Sequence, residues 1–385
     1  MNEFRAILDA ADSSNGRMYL ATVVDVDGSA YRRPGARMLI MPEGQNVGMI
    51  SGGCLERDLC RQAPALCKEG ARLVSFDTRS ESTDFTPKYN LGCNGIIYVL
   101  VEPVTHDDRC PLRFLRQTLE TQTSRVVGTV YHLDGNQRGK LGDRMTAESM
   151  LEAFDEFEMR PLIEQVDSTG IPVCCEIPRT TDETSLRLFV EKISPPQPLW
   201  IFGAGDDAMP MARIANELGW AVTVIDDRAA NLSSSRFPDC SQVLAFGIHE
   251  IRKKINPTSE TVALLMTHSF KKDEIYLPWL CQLNLPYIGL LGPKSRTAKL
   301  VRRLHDLGTL PAVENFNCLR TPVGLDIGAT NPAQIALSIA AEIISFQSGR
   351  SGGSLSLRSE PIHEPVSHEL LESPAPIKTR LVETK

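Results

Sequence analysis

Two glycine–cysteine segments contain the residues of this sequence that are best suited to chemistry. In SGGC, residues 51–54, Gly52 and Gly53 free the backbone for a positive φ or for the close approach of a ligand. Cys54 then opens a stretch with helical spacing, where the helix dipole favours a thiolate over a thiol. The segment LGCNG repeats the arrangement with Gly92, Cys93, Asn94 and Gly95. Two such loops predict a site for a soft metal or for sulfur transfer, with Cys54 and Cys93 as its reactive, metal-contacting thiols.

An arginine-containing loop precedes the first of these segments. The stretch VDGSAYRRPGARM supplies Gly28, Ser29, Arg32, Arg33, Pro34 and Gly35. Arginine binds bidentately and glycine exposes backbone N–H groups, so the loop suits a phosphate or the polar edge of a pterin. A solvated hairpin is the alternative, and both interpretations remain open. Glu56, shortly after Cys54, is expected to cap its turn rather than to act on a ligand.

A third segment, IFGAGDDAMPMARIANELGWAVTVIDD, has the order strand, G-x-G-x-x-A, helix, strand, acid. Gly203 permits a tight turn, Gly205 admits a pyrophosphate, and Ala208 allows the helix to pack closely on the strand. Asp226 follows at roughly the 20-residue spacing of an acid that binds a ribose. The segment therefore predicts a site for a nucleotide or NAD(P).

Charges in the same segment favour a different interpretation. Asp206 and Asp207 stand at the predicted helix N-terminus, where they can satisfy free N–H groups and would repel a phosphate. A Rossmann-shaped domain that binds no nucleotide is therefore the alternative. Arg228 either reaches a phosphate or is solvated.

His268 is a further candidate, because it follows the apolar run TVALLMT. Ligands of open α/β sheets bind at the carboxyl ends of the strands, which is where this histidine is predicted to lie. Asp273 either orients His268 or caps the next helix. As an acid or base, His268 would be catalytic.

The elements that position these residues change in character along the chain. Residues 1–193 mix short β-rich runs with helical stretches, which predicts an α+β domain, and SPPQP, residues 194–198, predicts a linker. Residues 199–347 alternate continuous apolar runs with amphipathic helices, which is typical of parallel strands buried on both faces. We therefore predict an α/β protein with a doubly wound, Rossmann-like second domain. Residues 348–385 are rich in Ser, Pro and Glu, and we expect a disordered tail.

Local signals place the last helix of the second domain. Asn331 is a candidate cap, Pro332 suits the first helical position, and Gln334 completes a capping box. The helix is expected to run to about Gln347. In the first domain, Cys174 and Cys175 are adjacent on a predicted strand, so they should point to opposite faces and be structural.

Composition narrows the class of protein. The chain has 385 residues, 42% of them hydrophobic, and a net charge of −7, which opposes a nucleic-acid partner. No apolar run is long enough to span a membrane, and the first residues lack the order of a secretory signal, so we expect a cytoplasmic protein without a membrane partner. The ten cysteines contain no C-x-x-C pair and are read as reduced thiols.

Taken in order, several segments closely resemble the xanthine dehydrogenase accessory protein (XdhC/CoxI) family. The segments are GSAYRRPGARM, GMISGGCLE, LGCNGIIYVLVEP, IFGAGDDA, VTVIDDR, MTH, YIGLLGPKSR and PVGLDIGATNPAQIALSIAAEI. The resemblance runs from about residue 20 to residue 347. The positions that match the family motifs are Gly28, Ser29, Arg32, Gly35, Gly52, Gly53, Cys54, Glu56, Gly92, Cys93, Gly95, Gly203, Gly205, Asp226, His268, Gly292, Asp326 and Glu342.

The resemblance implies a cytoplasmic maturation factor, a chaperone rather than a turnover enzyme. Such a factor binds molybdenum cofactor (molybdopterin), protects it during sulfuration and inserts it into a xanthine- or CO-dehydrogenase-type molybdoenzyme. The implied partners are the apo-molybdoenzyme, a cysteine desulfurase and a second copy of the chain. On this hypothesis the glycines of SGGC admit the pterin, and Cys54, with Cys93, faces the metal or its sulfur.

Two other hypotheses remain open. In the first, the chain is an NAD(P)-dependent oxidoreductase in which Asp226 binds the ribose and His268 is the acid or base. In the second, it is a scaffold between a desulfurase and an apo-enzyme and binds neither ligand.

Overall fold

The computed structural model describes most of the chain, namely residues 3–79, 95–133, 140–178, 185–233, 235–238, 240–309, 318–359, 362 and 367–370. The chain divides into two compact units. The first comprises Glu3–Pro195 with Pro361–Lys385, and the second comprises Pro196–Glu360 with Met1–Asn2.

The first unit begins with an antiparallel sheet of five strands in the order β3-β2-β1-β5-β4. These strands are β1 (Tyr19–Gly28), β2 (Arg37–Ile40), β3 (Asn46–Gly48), β4 (Arg72–Asp77) and β5 (Gly95–Pro103). The helices that accompany it are α1 (Glu3–Ser13), α2 (Cys54–Leu66) and α3 (Arg113–Thr121). Alternate side chains of β1, such as Tyr19, Ala21 and Val23, pack in one apolar cluster with residues of α2.

A second sheet follows within the same unit. Its strands are β6 (Arg125–Leu133), β7 (Arg144–Thr146), β8 (Val173–Pro178) and β9 (Ser185–Ile193), and its helices are α4 (Ala147–Ala153) and α5 (Glu156–Thr169). Cys174 packs with Tyr131 in one apolar cluster, and Cys175 packs with Val173 in another. The two thiols therefore point to opposite faces of β8, as predicted.

The second unit contains a six-stranded sheet in the order β12-β11-β10-β13-β14-β15, and every neighbouring pair is parallel. Its strands are β10 (Pro198–Phe202), β11 (Ala221–Asp226), β12 (Gln242–Ala245), β13 (Val262–Leu265), β14 (Tyr287–Leu290) and β15 (Leu319–Arg320). Its helices are α6 (Ala208–Glu217), α7 (Ile248–Lys254), α8 (Phe270–Gln282), α9 (Lys294–Asp306) and α10 (Pro332–Gln347).

Both faces of this parallel sheet are buried. Leu199 and Ile201 of β10 pack in one apolar cluster, whereas Trp200 and Phe202 pack in another. The predicted doubly wound, Rossmann-like domain is thereby confirmed, and so is the mixed α/β class of the chain. None of the helices in the described part of the chain is both long and apolar enough to cross a bilayer.

The C-terminal segment differs from the expected disordered tail. Residues Ser367–Leu370 form strand β16, which pairs in parallel with β8 and extends the second sheet to the order β16-β8-β9-β6-β7. The expectation therefore does not hold for these four residues. The backbone of β8 has an open edge that a short strand can occupy whatever its own hydrophobicity, because the pairing is made by main-chain groups.

Candidate functional site

The arginine loop and the segment that leads into SGGC are brought together at one end of the first sheet. β1 ends there at Gly28, and its antiparallel neighbour β5 begins there at Gly95, which pairs with Gly28. β2 begins at Arg37, opposite Thr22 of β1, and β3 ends at Gly48, opposite Met38, so the loops that leave them run toward the same end of the sheet. We call this surface the glycine edge and define it as the segments 28–35 and 49–53 together with Gly95.

One carboxylate joins two segments of the glycine edge. Glu3, the first residue of α1, accepts a hydrogen bond from the guanidinium of Arg32 at 2.7 Å and one from the backbone N–H of Met49 at 3.2 Å. The arginine loop and Met49, which lies two residues before SGGC, therefore both donate hydrogen bonds to the side chain of Glu3. Glu3 was not singled out from the sequence, since its partners lie far along the chain.

The turn Ser51–Gly53 is built around the carboxylate of Glu56, which is buried. This carboxylate accepts hydrogen bonds from the backbone N–H groups of Ile50 at 3.0 Å, Ser51 at 2.6 Å and Gly53 at 3.0 Å, and from the hydroxyl of Ser51. Burial alone would raise the pKa of Glu56, but these hydrogen bonds outweigh it and hold the pKa below its ordinary value. The capping role expected of Glu56 is confirmed.

The two glycines of this turn differ in what the protein itself demands of them. Gly53 has φ of 110°, in the left-handed region that favours glycine. Gly52 has no such φ, and a Cβ added to it would meet nothing within 4 Å. Neither the backbone conformation nor the packing of the described residues explains why Gly52 lacks a side chain, so the exposed backbone there is open to a ligand.

A groove of about 740 Å³ lies beside this turn. It runs between α2 and the hairpin of β2 and β3, and Gly53, Glu56, Arg57, Cys60 and Arg61 contribute to its lining. Arg57, Cys60 and Arg61 were not predicted as site residues. The sequence contains the signal for this grouping, because Cys60 and Arg61 follow Arg57 by three and four positions, and residues at these spacings share one face of a helix.

Cys60 differs chemically from a reactive thiol. Burial, and then the nearby carboxylate of Glu56, raise the pKa of Cys60, so its sulfur stays protonated at neutral pH. Cys54 is the first residue of α2, at the predicted helix N-terminus. Gly92, Cys93 and Asn94 lie outside the described residues.

The arginine loop is more ordered than a solvated hairpin. Gly28 and Gly35 have φ of 85° and 95°, and Gly35 donates its N–H to Val23 at 2.8 Å. Arg32 is half-buried and paired with Glu3. Ser29 contributes backbone atoms that a Cβ on Gly95 would meet at 2.7 and 2.8 Å, so Gly95 must be glycine for the loop to pack there.

A buried ion pair lies at the end of this loop, and the sequence analysis did not predict it. Arg37, at the start of β2, forms an ion pair with Glu191 of β9, and both side chains are less than a tenth exposed. Arg37 also donates to the carbonyl of Gly35 at 2.8 Å. Removing one partner of such a pair leaves a buried charge uncompensated, so the pair fixes the base of the loop.

In the second unit, the glycine turn lies at the switch point of the sheet, between the carboxyl ends of β10 and β13. Gly203 has φ of 115°, and a Cβ on it would come within 2.3 Å of the carbonyl oxygen of Met266. A Cβ on Gly205 would come within 2.6 Å of Asp207. Ala208 is fully buried against the sheet. Close packing within the protein therefore explains these small residues without a nucleotide.

Asp226 is buried at the end of β11, and both of its carboxylate oxygens already have partners. One accepts from the backbone N–H of Ala204 at 2.9 Å, and Arg228 binds the carboxylate through Nε at 2.9 Å and Nη2 at 2.7 Å. Burial would raise the pKa of Asp226, but the hydrogen bonds from Arg228 and Ala204 hold it well below its ordinary value. A ribose would have to displace Arg228 to reach this carboxylate.

His268 lies above the same turn, with φ of 53° and its side chain 64% exposed. Its Nε2 is 2.7 Å from Oδ2 of Asp207, so the carboxylate next to the glycine turn is its partner. Asp273, predicted either to orient His268 or to cap α8, is instead buried against Thr267 and Arg296. The cap of α8 is Ser269.

The remaining family-motif residues lie elsewhere in the second unit. Gly292 precedes α9, and Asp326 is exposed in the loop before α10. Glu342 of α10 accepts a hydrogen bond from the backbone of Gly324 at 2.8 Å and one from the hydroxyl of Tyr287. Glu342 therefore ties this loop and β14 to α10.

Comparison with known protein families gives two matches. Residues 199–343 match the model of the XdhC Rossmann domain, and residues 12–77 match the model of the XdhC and CoxI family. The second range includes the arginine loop and SGGC.

Individual relatives cover most of the chain. It is 32% identical to a probable xanthine dehydrogenase component of Bacillus subtilis over 89% of its own length and 97% of the relative's. It is 23% identical to the molybdenum cofactor insertion chaperone PaoD of Escherichia coli over 89% and 87% of the two lengths. A crystal structure described as a xanthine dehydrogenase from Bacillus halodurans superposes with a TM-score of 0.68, at 27% identity, over 92% of this chain and 98% of the other.

Proposed function

The chain belongs to the XdhC and CoxI family, and from this premise we propose that it is a maturation chaperone for a molybdoenzyme of the xanthine dehydrogenase class. Its cargo is molybdenum cofactor, which it binds at the glycine edge and delivers to the apo-enzyme. The name of the Escherichia coli relative, an insertion chaperone for this cofactor, supports the assignment. Sulfuration of the bound cofactor, with a cysteine desulfurase as partner, is part of the proposal.

The observation that carries this proposal is the open backbone at Gly52. A side chain there would contact nothing in the described protein, yet the position is glycine and lies in a turn that the buried Glu56 holds in place. A fixed turn with an exposed glycine backbone leaves room for a flat heterocycle or its phosphate to approach closely. Arg57 and Arg61 line the adjoining groove together with Glu43 and Glu56, so the groove offers guanidinium donors to an anionic group although its lining carries no net charge.

In this proposal, Cys54 and Cys93 are the residues that contact the molybdenum or the sulfur bound to it. A thiolate is a good ligand for a soft metal and a good acceptor of sulfur. In the second unit, His268 and the turn at Gly203 are the candidates for contact with a partner protein.

The test is to co-express the chain with a molybdopterin pathway and to measure the pterin and molybdenum that copurify with it. We expect bound pterin in the wild-type protein and much less in Gly52→Gln, because the new side chain occupies the space assigned to the cargo. Gly247→Gln is the matched control, since a Cβ at Gly247 also meets nothing within 4 Å. Cys54→Ala and Cys93→Ala then test the thiols.

Each result has a defined meaning. Wild-type protein without pterin would refute the assigned cargo. Equal retention by Gly52→Gln and wild type would refute the glycine edge as its site. Unchanged pterin and molybdenum in both thiol variants would remove the cysteines from the proposal. Delivery is checked by mixing the loaded protein with apo-xanthine dehydrogenase and following the gain of xanthine oxidation.

A further inference from the structure

Three side chains of different metal-binding types meet in the first unit, away from the glycine turn. They are Asp25 of β1, Cys174 of β8 and His368 of β16, and one ligand atom from each lies within 4.8 Å of the other two. Asp25 and Cys174 are buried, whereas the side chain of His368 is 54% exposed. A carboxylate, a thiol and an imidazole together make a ligand set that suits a borderline-soft divalent metal.

The strand pairing places His368 and Cys174 together. β16 runs parallel to β8 in a register that sets His368 beside Cys174 and Glu369 beside Cys175. Paired residues of neighbouring strands point to the same face of a sheet. His368 and Cys174 therefore share one face, and Glu369 and Cys175 share the other.

A β-bulge brings Asp25 to this face. Val23 pairs with Val99 of β5, but Asp25 pairs with Tyr98, the next residue, and Val24 between them has no partner. In a regular strand Asp25 would point the same way as Val23, into an apolar cluster. The bulge turns the carboxylate to the opposite face, and bulges commonly re-aim side chains next to functional sites.

The groups around the cluster orient the three side chains. Nε2 of His368 is 2.8 Å from one carboxylate oxygen of Asp25, and Tyr131 donates its hydroxyl to the other at 3.3 Å. The thiol of Cys174 donates to the carbonyl of Val24 at 3.2 Å. Burial, and then the charge of Asp25, raise the pKa of Cys174, so the thiol keeps its proton unless a cation compensates for a second buried negative charge.

We propose that Asp25, Cys174 and His368 form a binding site for a divalent transition metal of the Zn²⁺ type. The thiolate sulfur of Cys174, a carboxylate oxygen of Asp25 and Nε2 of His368 are the ligands, and water fills the position on the exposed side of His368. Binding releases the proton of Cys174 to solvent. Because His368 belongs to the C-terminal strand, the metal fastens β16 to β8 and β1. The site is separate from the molybdenum cofactor proposal and does not depend on it.

The test is a titration of the full-length, chelator-treated protein with Co²⁺, which replaces Zn²⁺ and reports its ligands by absorption. We expect one Co²⁺ per chain with a sulfur-to-metal charge-transfer band, and loss of the band on addition of Zn²⁺. Cys174→Ser should abolish this band. His368→Ala should weaken binding by at least about tenfold, since losing even a residue that only supports a metal ligand costs about 10- to 100-fold.

Two control variants separate the site from unspecific binding. His249→Ala removes an exposed histidine of the second unit, and Glu369→Gln changes a neighbour of His368 on the opposite face of β16. Both should bind Co²⁺ as the wild type does, and circular dichroism checks that every variant is folded. A folded wild type without the charge-transfer band, a band that persists in Cys174→Ser, or equal affinities of His368→Ala and His249→Ala would overturn the proposal.

Discussion

At the scale of single residues, Glu56 determines the shape of the glycine–cysteine turn. One carboxylate accepts three backbone N–H groups and one hydroxyl, so the turn is fixed by a side chain of the helix that follows it. The sequence indicated this role, because an acid at the third position of a helix after a turn is a capping signal. The sequence did not indicate that Glu3 would join this turn to the arginine loop. Such pairings depend on long-range packing, which no local pattern encodes.

Replacing Glu56 by glutamine should destabilise the first unit by about 1–3 kcal/mol, the usual cost of removing a buried, charged hydrogen-bond acceptor. The amide keeps one acceptor oxygen but presents its own N–H groups to backbone donors. The free energy of unfolding, measured in urea, checks this. Glu69→Gln is the control, because Glu69 is exposed and should change stability by less than about 0.5 kcal/mol. Equal effects of the two substitutions would contradict the structural role of Glu56.

The same carboxylate should make stability depend on acid pH. Its pKa is lower in the folded protein than its ordinary value, so the unfolded state binds the proton more readily. The contribution of Glu56 is complete above the ordinary glutamate pKa of about 4.3 and is lost as pH falls through the lower folded pKa. Unfolding measured between about pH 3 and pH 7 should therefore show a smaller loss of stability in Glu56→Gln than in wild type. Parallel curves for the two proteins would count against this.

At the scale of elements, the glycine turn of the second unit is filled from within the protein. Asp226 is bound by Ala204 and Arg228, and Asp207 is paired with His268. We therefore expect calorimetry to show no saturable binding of NAD or NADP to the wild-type protein. Saturable binding that is lost in Asp226→Asn would instead support the oxidoreductase hypothesis. The same titration of Arg228→Ala tests whether Arg228 is what blocks the site, because this variant frees the carboxylate of Asp226 that a ribose would need.

Local signals predicted regular elements better than they predicted edge pairing. Asn331 accepts the N–H of Gln334, and α10 runs from Pro332 to Gln347 as expected. The side chain of Gln334, however, reaches Thr330 rather than the capping residue. The helix α2 contains Pro64 and ends two residues beyond it, at Leu66. Strand β16 could not be predicted, because SHEL has no apolar alternation and its pairing depends on the free edge of β8.

Removing β16 should loosen β8. A chain that ends at residue 360 leaves backbone groups of Val173–Glu176 without their partners in β16. Hydrogen exchange measured by mass spectrometry should then be faster in a peptide that covers β8. A chain that ends at residue 371 keeps the strand and is the matched control. Equal exchange in both truncated proteins would show that β16 does not protect this edge in solution.

At the scale of the whole molecule, the two units have separate interiors. Within the described part of the chain, each apolar cluster draws its residues from a single unit, as the clusters around Leu199 and Trp200 in the second unit and Tyr19 in the first illustrate. The change from mixed to alternating elements along the sequence predicts two domains. The return of the C-terminal segment to the first unit was not predictable, because a four-residue strand without a periodic pattern leaves no signal.

Separate interiors imply that residues 196–360 fold when they are expressed alone, since their core needs no residue of the first unit. We expect this fragment to show helical circular dichroism and a cooperative thermal transition. Co-expressed with a molybdopterin pathway, it should retain no pterin, whereas the full-length chain does, because the glycine edge belongs entirely to the first unit. A folded fragment that retains pterin as well as the full-length protein would move the cargo site to the second unit, to the turn between Gly203 and His268.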